Sequence, residues 1–559
     1  MVFLNRIISI IMSLFILLSS FFSNGFTGNE YEFNVDAASL GKAAPNLAST
    51  VNVWSIEGNP FVNPTINVEN NVFQFVEYVE LMQCSGGSEG RDLFLDPLDR
   101  AVLDDYNFTH LIENCRGIIT LGAKPFLKLG NVPLKYSQNA TVDTEYNVNP
   151  YPPDDYNVYY NYIKALITAL ADEFGVNEVR SWRFGVMTEY ENQSWFKADD
   201  NKEDLDKRTA IEYCKLYDYT VEAIIDVLGE DIFVGAHSMT VTDGLWDEAY
   251  FIEHCAKGTN YKTGEKGTKI SYLSASFYDE MPGVYAKEKT LPETIKYLRK
   301  AANKAGLKDL IFGIDEGRIL KGTTSGTDSN ELHTRSVGYL YQAAYDARMY
   351  TQMLENDIDY FSYWSYLSGG LLSGNPTVSY HVSKNISAIE GAKLTKTSKT
   401  NYPLFSKSDV KAIAAFNEDT STLYVMAYNF NNSLNYSKDA KLKINLSVPQ
   451  FAGREVKIVS RTIDNDCNYF DEWQEDRKTY GIDDSCFSWS PDDPNLDNET
   501  TLKDERAREI YFNELYEKYK QCSQLVPKTE NKLFSGDSLT IENNLAPHSV
   551  VFYEITLAQ

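Results

Sequence analysis

At 559 residues the chain is too long for one small domain, and 43% hydrophobic with 23% charged residues is a globular rather than a disordered composition. A formal net charge of -27 argues against nucleic acid as a partner, because binding phosphates takes clustered Lys and Arg.

The N-terminus, "MVFLNRIISIIMSLFILLSSFFSNG", carries one cation, Arg6, ahead of an apolar run from Ile7 to about Phe22 and then small and polar residues. This is the pattern of a secretory signal peptide over residues 1–25. The run is short of the roughly 20 residues of a spanning helix, so a retained membrane anchor is the lesser alternative. No later segment reads as transmembrane, and an exported protein is expected.

From about Ser49 to Ser365, short β-like apolar runs alternate with segments of helical period. The strand candidates are "TVNVW", "FVEYVELM", "AKPFLKLG", "VRSWRFGVM", "DIFVGAH", "ISYLSASFY", "DLIFGIDE" and "IDYFSYW". Such a series predicts a parallel (β/α)8 barrel, spanning 26–397. Several of the intervening helices end in Gly, a usual stop signal. The first crossover, "EGNPFVNPTINVENNVF", has too many Pro and Asn for a helix.

Beyond about Thr397 the pattern changes to alternating strands without crossover helices, which predicts an antiparallel β-sandwich over 398–559. An acidic insertion, from about Asp464 to Lys528, carries one helix, "KDERAREIYFNELYEKYKQC". Of the seven Cys, Cys467, Cys486 and Cys522 cluster there and allow one disulfide after export. No CxxC pair and no His cluster of metal-site spacing occurs, so neither a metal nor another cofactor is expected.

In such a barrel the chemistry sits at the C-terminal ends of the strands. Glu189, in "WRFGVMTEYENQSWF", ends the fourth strand and Glu316, in "LIFGIDEGRI", the seventh, so both acids can point at one ligand from opposite sides of the mouth. Retaining glycoside hydrolysis needs such a pair about 5–5.5 Å apart, one protonated to donate and one ionised to attack. Either Glu alone could be a solvated strand end. The eighth strand, ending in "SYW", adds Trp364, which either offers an indole face to a sugar ring or packs as core. Glu191, two places after Glu189, is the alternative acid if the strand ends later. Asp315 should face away from the mouth, as strand neighbours do. Asn192 begins an Asn-x-Ser sequon and should stay unmodified if Glu189 is catalytic.

Several stretches together resemble clan A of the glycoside hydrolases, and more narrowly family 39, which includes β-xylosidases and α-L-iduronidases. They are "GAKPFLKLGNVPLKYS", "VGAHSM" with "LWDEAYFIEHC", "DYFSYWSY", "RTIDNDCNYFDEW" and "LAPHSVVFYEI". The resemblance implies Glu189 as acid/base and Glu316 as nucleophile. It also implies Trp364 as a stacking residue and Tyr278, in "SASFYDE", as a sixth-strand aromatic that orients the nucleophile or only caps the core. Three features depart from the family. Its Asn-Glu-Pro is "TEY" here, so Thr188 stands where an Asn ordinarily contacts the sugar 2-hydroxyl. Ser276 replaces a sixth-strand His, and "ELMQCSGG" replaces a basic or His-Gly second-strand end. His237 is additional, lining the pocket or sitting in the core. The resemblance implies a secreted retaining glycosidase acting on a polysaccharide or oligosaccharide, with an inactive carbohydrate-binding protein on the same barrel as the alternative.

Overall fold

The computed structural model describes residues 28–57, 61–62, 64, 71–239, 244–279, 290–319, 340–363, 375–433, 435–486 and 502–558. Trp364 and the apolar N-terminal run lie outside them, as do the side chains of Tyr278 and Asp279. Among the described residues no helix is long and apolar enough to cross a membrane.

The strands that carry the site are β2 (Thr50–Val53), β3 (Tyr78–Leu81), β4 (Lys124–Leu129), β5 (Arg183–Val186), β6 (Phe233–Ser238), β7 (Tyr272–Asp279), β8 (Ile311–Ile319) and β9 (Tyr360–Tyr363). They close in that order into a barrel, every pairing parallel, with Thr50↔Ser362 and Val51↔Tyr363 joining the last strand to the first. One side of each strand packs outward on amphipathic helices. The helix Tyr156–Phe174 buries Tyr159, Ile163, Leu166, Ile167 and Leu170, is capped by Asp155 through the Asn157 amide, and stops at Gly175, whose φ of 88° few other residues tolerate. Each fully buried Leu or Ile of this layer contributes about 1.5–3 kcal/mol relative to exposure.

The other side of each strand fills the barrel. Phe126, Tyr272 and Tyr360 pack edge to face at its lower end, with the Arg183 guanidinium 3.8 Å from the Tyr78 ring centroid. Glycines admit these rings: a Cβ on Gly313 would lie 2.2 Å from the Tyr360 ring.

The second unit is a nine-stranded sheet in the order β15-β14-β17-β12-β11-β10-β1-β13-β16. Its later strands are β10 (Lys393–Asn401), β11 (Asp409–Asn417), β12 (Thr422–Phe430), β13 (Ala440–Ser447), β14 (Glu455–Ile463), β15 (Lys528–Leu533), β16 (Ser538–Leu545) and β17 (Val550–Leu557). The sheet folds over on itself, so that Phe33, Val425, Ile444, Ile458 and Ile541 share one core. Its first strand, β1 (Glu30–Ala43), comes from the N-terminus and lies between β10, antiparallel, and β13, parallel. Sheet membership therefore differs from the boundaries expected at 26 and 397: β1 and the start of β10 belong to this sheet. The sheet's outer face, with Tyr428, Phe430 and Phe552, joins barrel-helix residues Tyr341, Ile386 and Ile389 in one core.

The insertion contains an unexpected helix, Phe470–Tyr480, and the expected one is broken by a π turn at Tyr511–Leu515. Tyr469, Trp473, Tyr511 and Tyr519 form its own small core. All seven cysteines are free in the structure; the Cys467 thiol is turned to the Asp464 carbonyl and that of Cys522 to Glu472.

Candidate active site

Glu189 does not end its strand. β5 stops at Val186, and the chain turns through Met187 (φ 66°) and Glu189 (φ 44°). Left-handed backbone is uncommon for residues with a Cβ and collects where a side chain must be aimed. The turn is held from outside: the Met187 amide donates to the Leu129 carbonyl at 2.6 Å and that of Tyr190 to the His237 carbonyl at 3.1 Å. The carboxyl so aimed is 7% exposed, and its Oε2 accepts from Asn192 Nδ2 at 3.0 Å. Burial raises its pKa, with hydrogen bonds from Asn192, Ser276 and Trp195 opposing and the Glu145 charge reinforcing.

Glu316 lies within β8 and is 5% exposed. The Ser276 hydroxyl donates to its Oε2 at 3.2 Å. Burial pushes its pKa well up, and the charge of Glu189 is the leading neighbour pushing the same way. Ser276 therefore meets both carboxyls, whose titrations are linked.

Beneath Ser276 lies His237, wholly buried, with Nε2 2.8 Å from the hydroxyl oxygen. Burial lowers its pKa to about 3, so the ring is neutral. Because the one Ser276 proton goes to the carboxyls, Nε2 is the donor, and Nδ1 is left without a partner among the described residues. His237 thus supports the site from below.

The expectation for Asp315 fails. Across β7 and β8, Ala275 pairs with Ile314 but Ser276 pairs with Glu316, so Asp315 is the extra residue of a β-bulge and the alternation is broken. Both acids face inward. Glu316 meets Ser276, whereas Asp315 reaches down to the Lys128 ammonium and accepts from the Tyr360 hydroxyl at 2.5 Å. Lys128 Nζ also lies 3.1 Å from Glu80 Oε1, and all three side chains are wholly buried. The ligand atoms of Glu80, His237 and Asp315 lie within 4.8 Å of one another, a spacing suited to a metal ion. The donor set already holds a cation of its own in Lys128.

Glu191, the alternative acid, is engaged elsewhere. Its Oε1 accepts from the Ser238 hydroxyl at 2.7 Å and the Met239 amide at 2.6 Å, and Ser238 also meets Glu248 at 3.0 Å. Thr188 is 1% exposed, its hydroxyl without a hydrogen-bond partner among the described residues. Tyr278 pairs with Arg318 in the β7–β8 ladder.

Four further residues complete the site. Trp54, Tyr146 and Trp195 form an aromatic cluster, Tyr146 stacked on Trp195 at 4.4 Å and Trp54 5.4 Å from Trp195. Asn192 Nδ2 lies 3.3 Å from the Tyr146 hydroxyl, and both Glu189 and Glu316 act on that phenol. Two of the rings had a sequence signal, since Trp54 directly follows the first barrel strand and Trp195 closes the Glu189 loop. Tyr146 had none, and Asn192 was marked only as the start of a sequon.

A model of the glycosyl hydrolases family 39 matches residues 99–476. Over 272 residues the chain is 25% identical to a β-xylosidase of Geobacillus stearothermophilus, covering 47% of this chain and 48% of that protein. Over 340 residues it is 21% identical to an α-1,4-L-rhamnosidase of Formosa agariphila, covering 59% and 61%. The chain thus spans about half of the first of these relatives and less than two thirds of the second. Among solved structures, a monomeric β-xylosidase from Caulobacter crescentus aligns with a TM-score of 0.62 at 14% identity, over 94% of this chain and 99% of that one. A family 39 enzyme from Xanthomonas axonopodis pv. citri aligns at 0.63 and 14%, over 94% and 97%. At these identities the structural matches establish the fold.

Proposed function

The chain belongs to glycosyl hydrolase family 39, and from that premise we propose that it is an exported retaining glycosidase whose working carboxyls are Glu189 and Glu316. The observation that carries the reading is the convergence of two buried carboxyls, from opposite sides of the barrel, on the single hydroxyl of Ser276.

In the first step a Glu316 oxygen bonds to the anomeric carbon as the bond to the leaving oxygen breaks, and that oxygen takes the proton of Glu189. Water then attacks the anomeric carbon, gives its proton to Glu189, and displaces the Glu316 carboxylate. Burial supports both roles, because it lets one carboxyl keep a proton at neutral pH and makes the other's charge act at full strength. The cluster of Trp54, Tyr146 and Trp195 supports a ring-binding wall. Thr188, with its unpaired hydroxyl, bears on which sugar is accepted, and the names of the relatives suggest xylosides and rhamnosides as first substrates.

The test is a panel of aryl β-xylosides and α-L-rhamnosides with the wild type, Glu189→Gln and Glu316→Gln. Turnover lost in Glu316→Gln, a Glu189→Ala enzyme rescued by azide on an activated substrate, and a fluoro-sugar label mapped to Glu316 support the reading. The departures at Thr188 and Ser276 favour one other reading, a carbohydrate-binding protein without turnover. Sugar binding by calorimetry with no hydrolysis across the panel would favour that one. Export predicts a mature N-terminus shortly after residue 25, readable by N-terminal sequencing.

A further inference from the structure

His237, Ser276 and Glu316 stand on three successive strands, β6, β7 and β8, and one file of hydrogen bonds runs through them. His237 Nε2 lies 2.8 Å from the Ser276 hydroxyl oxygen, and that hydroxyl donates to Glu316 Oε2 at 3.2 Å. We propose that His237 is a positioning residue of the reaction: by donating from Nε2 to the Ser276 oxygen it holds the serine proton on the carboxyl side, aimed at Glu316. The inference rests on the glycosidase reading of the Glu189–Glu316 pair.

Strand register builds the file. His237 pairs with Ser274 across β6 and β7, so Ser276, two places on, looks to the same face. Across β7 and β8 the regular pairing ends at Ala275 and Ile314, and the bulge then sets Ser276 opposite Glu316 instead of Asp315. Without the extra residue the serine would pair with Asp315, whose carboxyl is bound to Lys128. The bulge thus gives the hydroxyl to the carboxyl at the mouth and leaves its neighbour to the floor.

Register leaves open which way the serine proton points. A serine hydroxyl has one hydrogen and rotates to suit its neighbours, and a neutral imidazole offers Nε2 as either donor or acceptor. As an acceptor Nε2 would compete with Glu316 for the serine proton; as a donor it leaves that proton to the carboxyls. The surroundings of the ring select the donor. His237 is wholly buried and Nδ1 has no hydrogen-bond partner among the described residues, so a proton there would be an unmatched buried donor. Lys128 from β4 is the leading charge on the ring; beside it an unmatched lone pair costs less than an unmatched N–H. Burial and Lys128 also outweigh Asp315 from β8, which alone favours a second proton, so the ring stays neutral. At Glu316 the charges of Glu189 and of Glu80 from β3 work against ionisation, while Lys128 and the Ser276 donor favour the attacking form. Losing the aim of Ser276 therefore weakens one of the supports of the nucleophile.

The experiment compares His237→Leu and His237→Gln, alone and with Ser276→Ala, by the pH dependence of kcat/KM on an aryl glycoside that the wild type hydrolyses. Leu removes the donor, whereas the Gln amide returns an N–H near the place of Nε2. His237→Leu should lose about tenfold in kcat/KM with its acid limb moved upward, and His237→Gln should recover most of that loss. With Ser276→Ala already in place, His237→Leu should cost less than about twofold more, because the ring acts through the serine. If His237→Leu does not fold, His237→Met removes the same donor and the same outcomes apply. Additive losses in the double variant, or an acid limb left in place by the Leu or Met variant, overturn the proposal, since a ring that only packs would give them. Nitrogen-15 NMR of histidine-labelled protein reads the tautomer without turnover. The signal lost in His237→Gln should be that of a neutral ring protonated at Nε2; a ring protonated at Nδ1 overturns the proposal. Fluoro-sugar labelling of the wild type at a residue other than Glu316 overturns the glycosidase assignment instead, so the two failures are distinguishable.

Discussion

Ser276 donates to Glu316 Oε2 at 3.2 Å with the proton it does not share with His237, whose Nε2 lies 2.8 Å behind it. Ser276→Ala removes a donor that favours the ionised nucleophile. A hydrogen bond to a charged group is worth about 1.5–3 kcal/mol. The expected result is a loss of about ten- to a hundredfold in kcat/KM, with the acid limb moved upward. Steady-state kinetics across pH measures both.

Asn192 acts on the other carboxyl. Its amide donates to Glu189 Oε2 at 3.0 Å, which favours the charged form. Asn192→Ala should raise the pKa of Glu189 and move the alkaline limb of kcat/KM upward by up to about one unit.

The same residue begins a sequon but is only 8% exposed. Protein made in a glycosylating host should carry no glycan at Asn192, as peptide mass mapping would read; a glycan there in active enzyme would contradict the buried site.

Glu80 gives a pH dependence of stability. Its folded pKa of about 8 stands above the ordinary value of 4.5, so the folded protein binds the proton more tightly. The contribution is fully present below about 4.5 and is lost as pH rises through about 8. Glu80→Gln keeps the shape without the proton, so it should flatten the fall in stability over that window, by an amount on the order of a few kcal/mol. Thermal melts of both proteins at matched ionic strength make the comparison.

Gly313 tests the packing under the site. A Cβ there would lie 2.2 Å from the ring of Tyr360, whose hydroxyl holds Asp315. Gly313→Ala should cost about 1–3 kcal/mol, as overpacking does, and lower the denaturation midpoint.

The barrel was legible because each of its strands is a short apolar run between turn signals, a local property. Glu189 and Glu316 stood out in the sequence as acids where such runs stop, but their places did not: Glu189 lies beyond the end of β5, and Glu316 lies inside β8 rather than at its end. The orientation of Asp315 was not, because the bulge that turns it inward is a register relation between β7 and β8. Nor were the partners of Lys128, which in "AKPFLKLG" is one cation in an apolar run and meets Glu80 and Asp315 only when they arrive from other strands. The position of β1 was equally hidden: Val35 and Leu446 pair across the length of the barrel sequence, a contact that no local pattern encodes.

That pairing has a consequence for the order in which the protein is made. Residues 30–43 leave the ribosome ahead of the barrel, but their neighbours in the sheet, β10 and β13, emerge only after the whole barrel has been synthesised. The opening strand must wait, its edges unpaired, while everything between is built. A chain begun just before Lys393, where β10 starts, would be born without an inner strand of its own sheet, so supplying a peptide spanning Glu30–Ala43 in trans should be what lets such a fragment close.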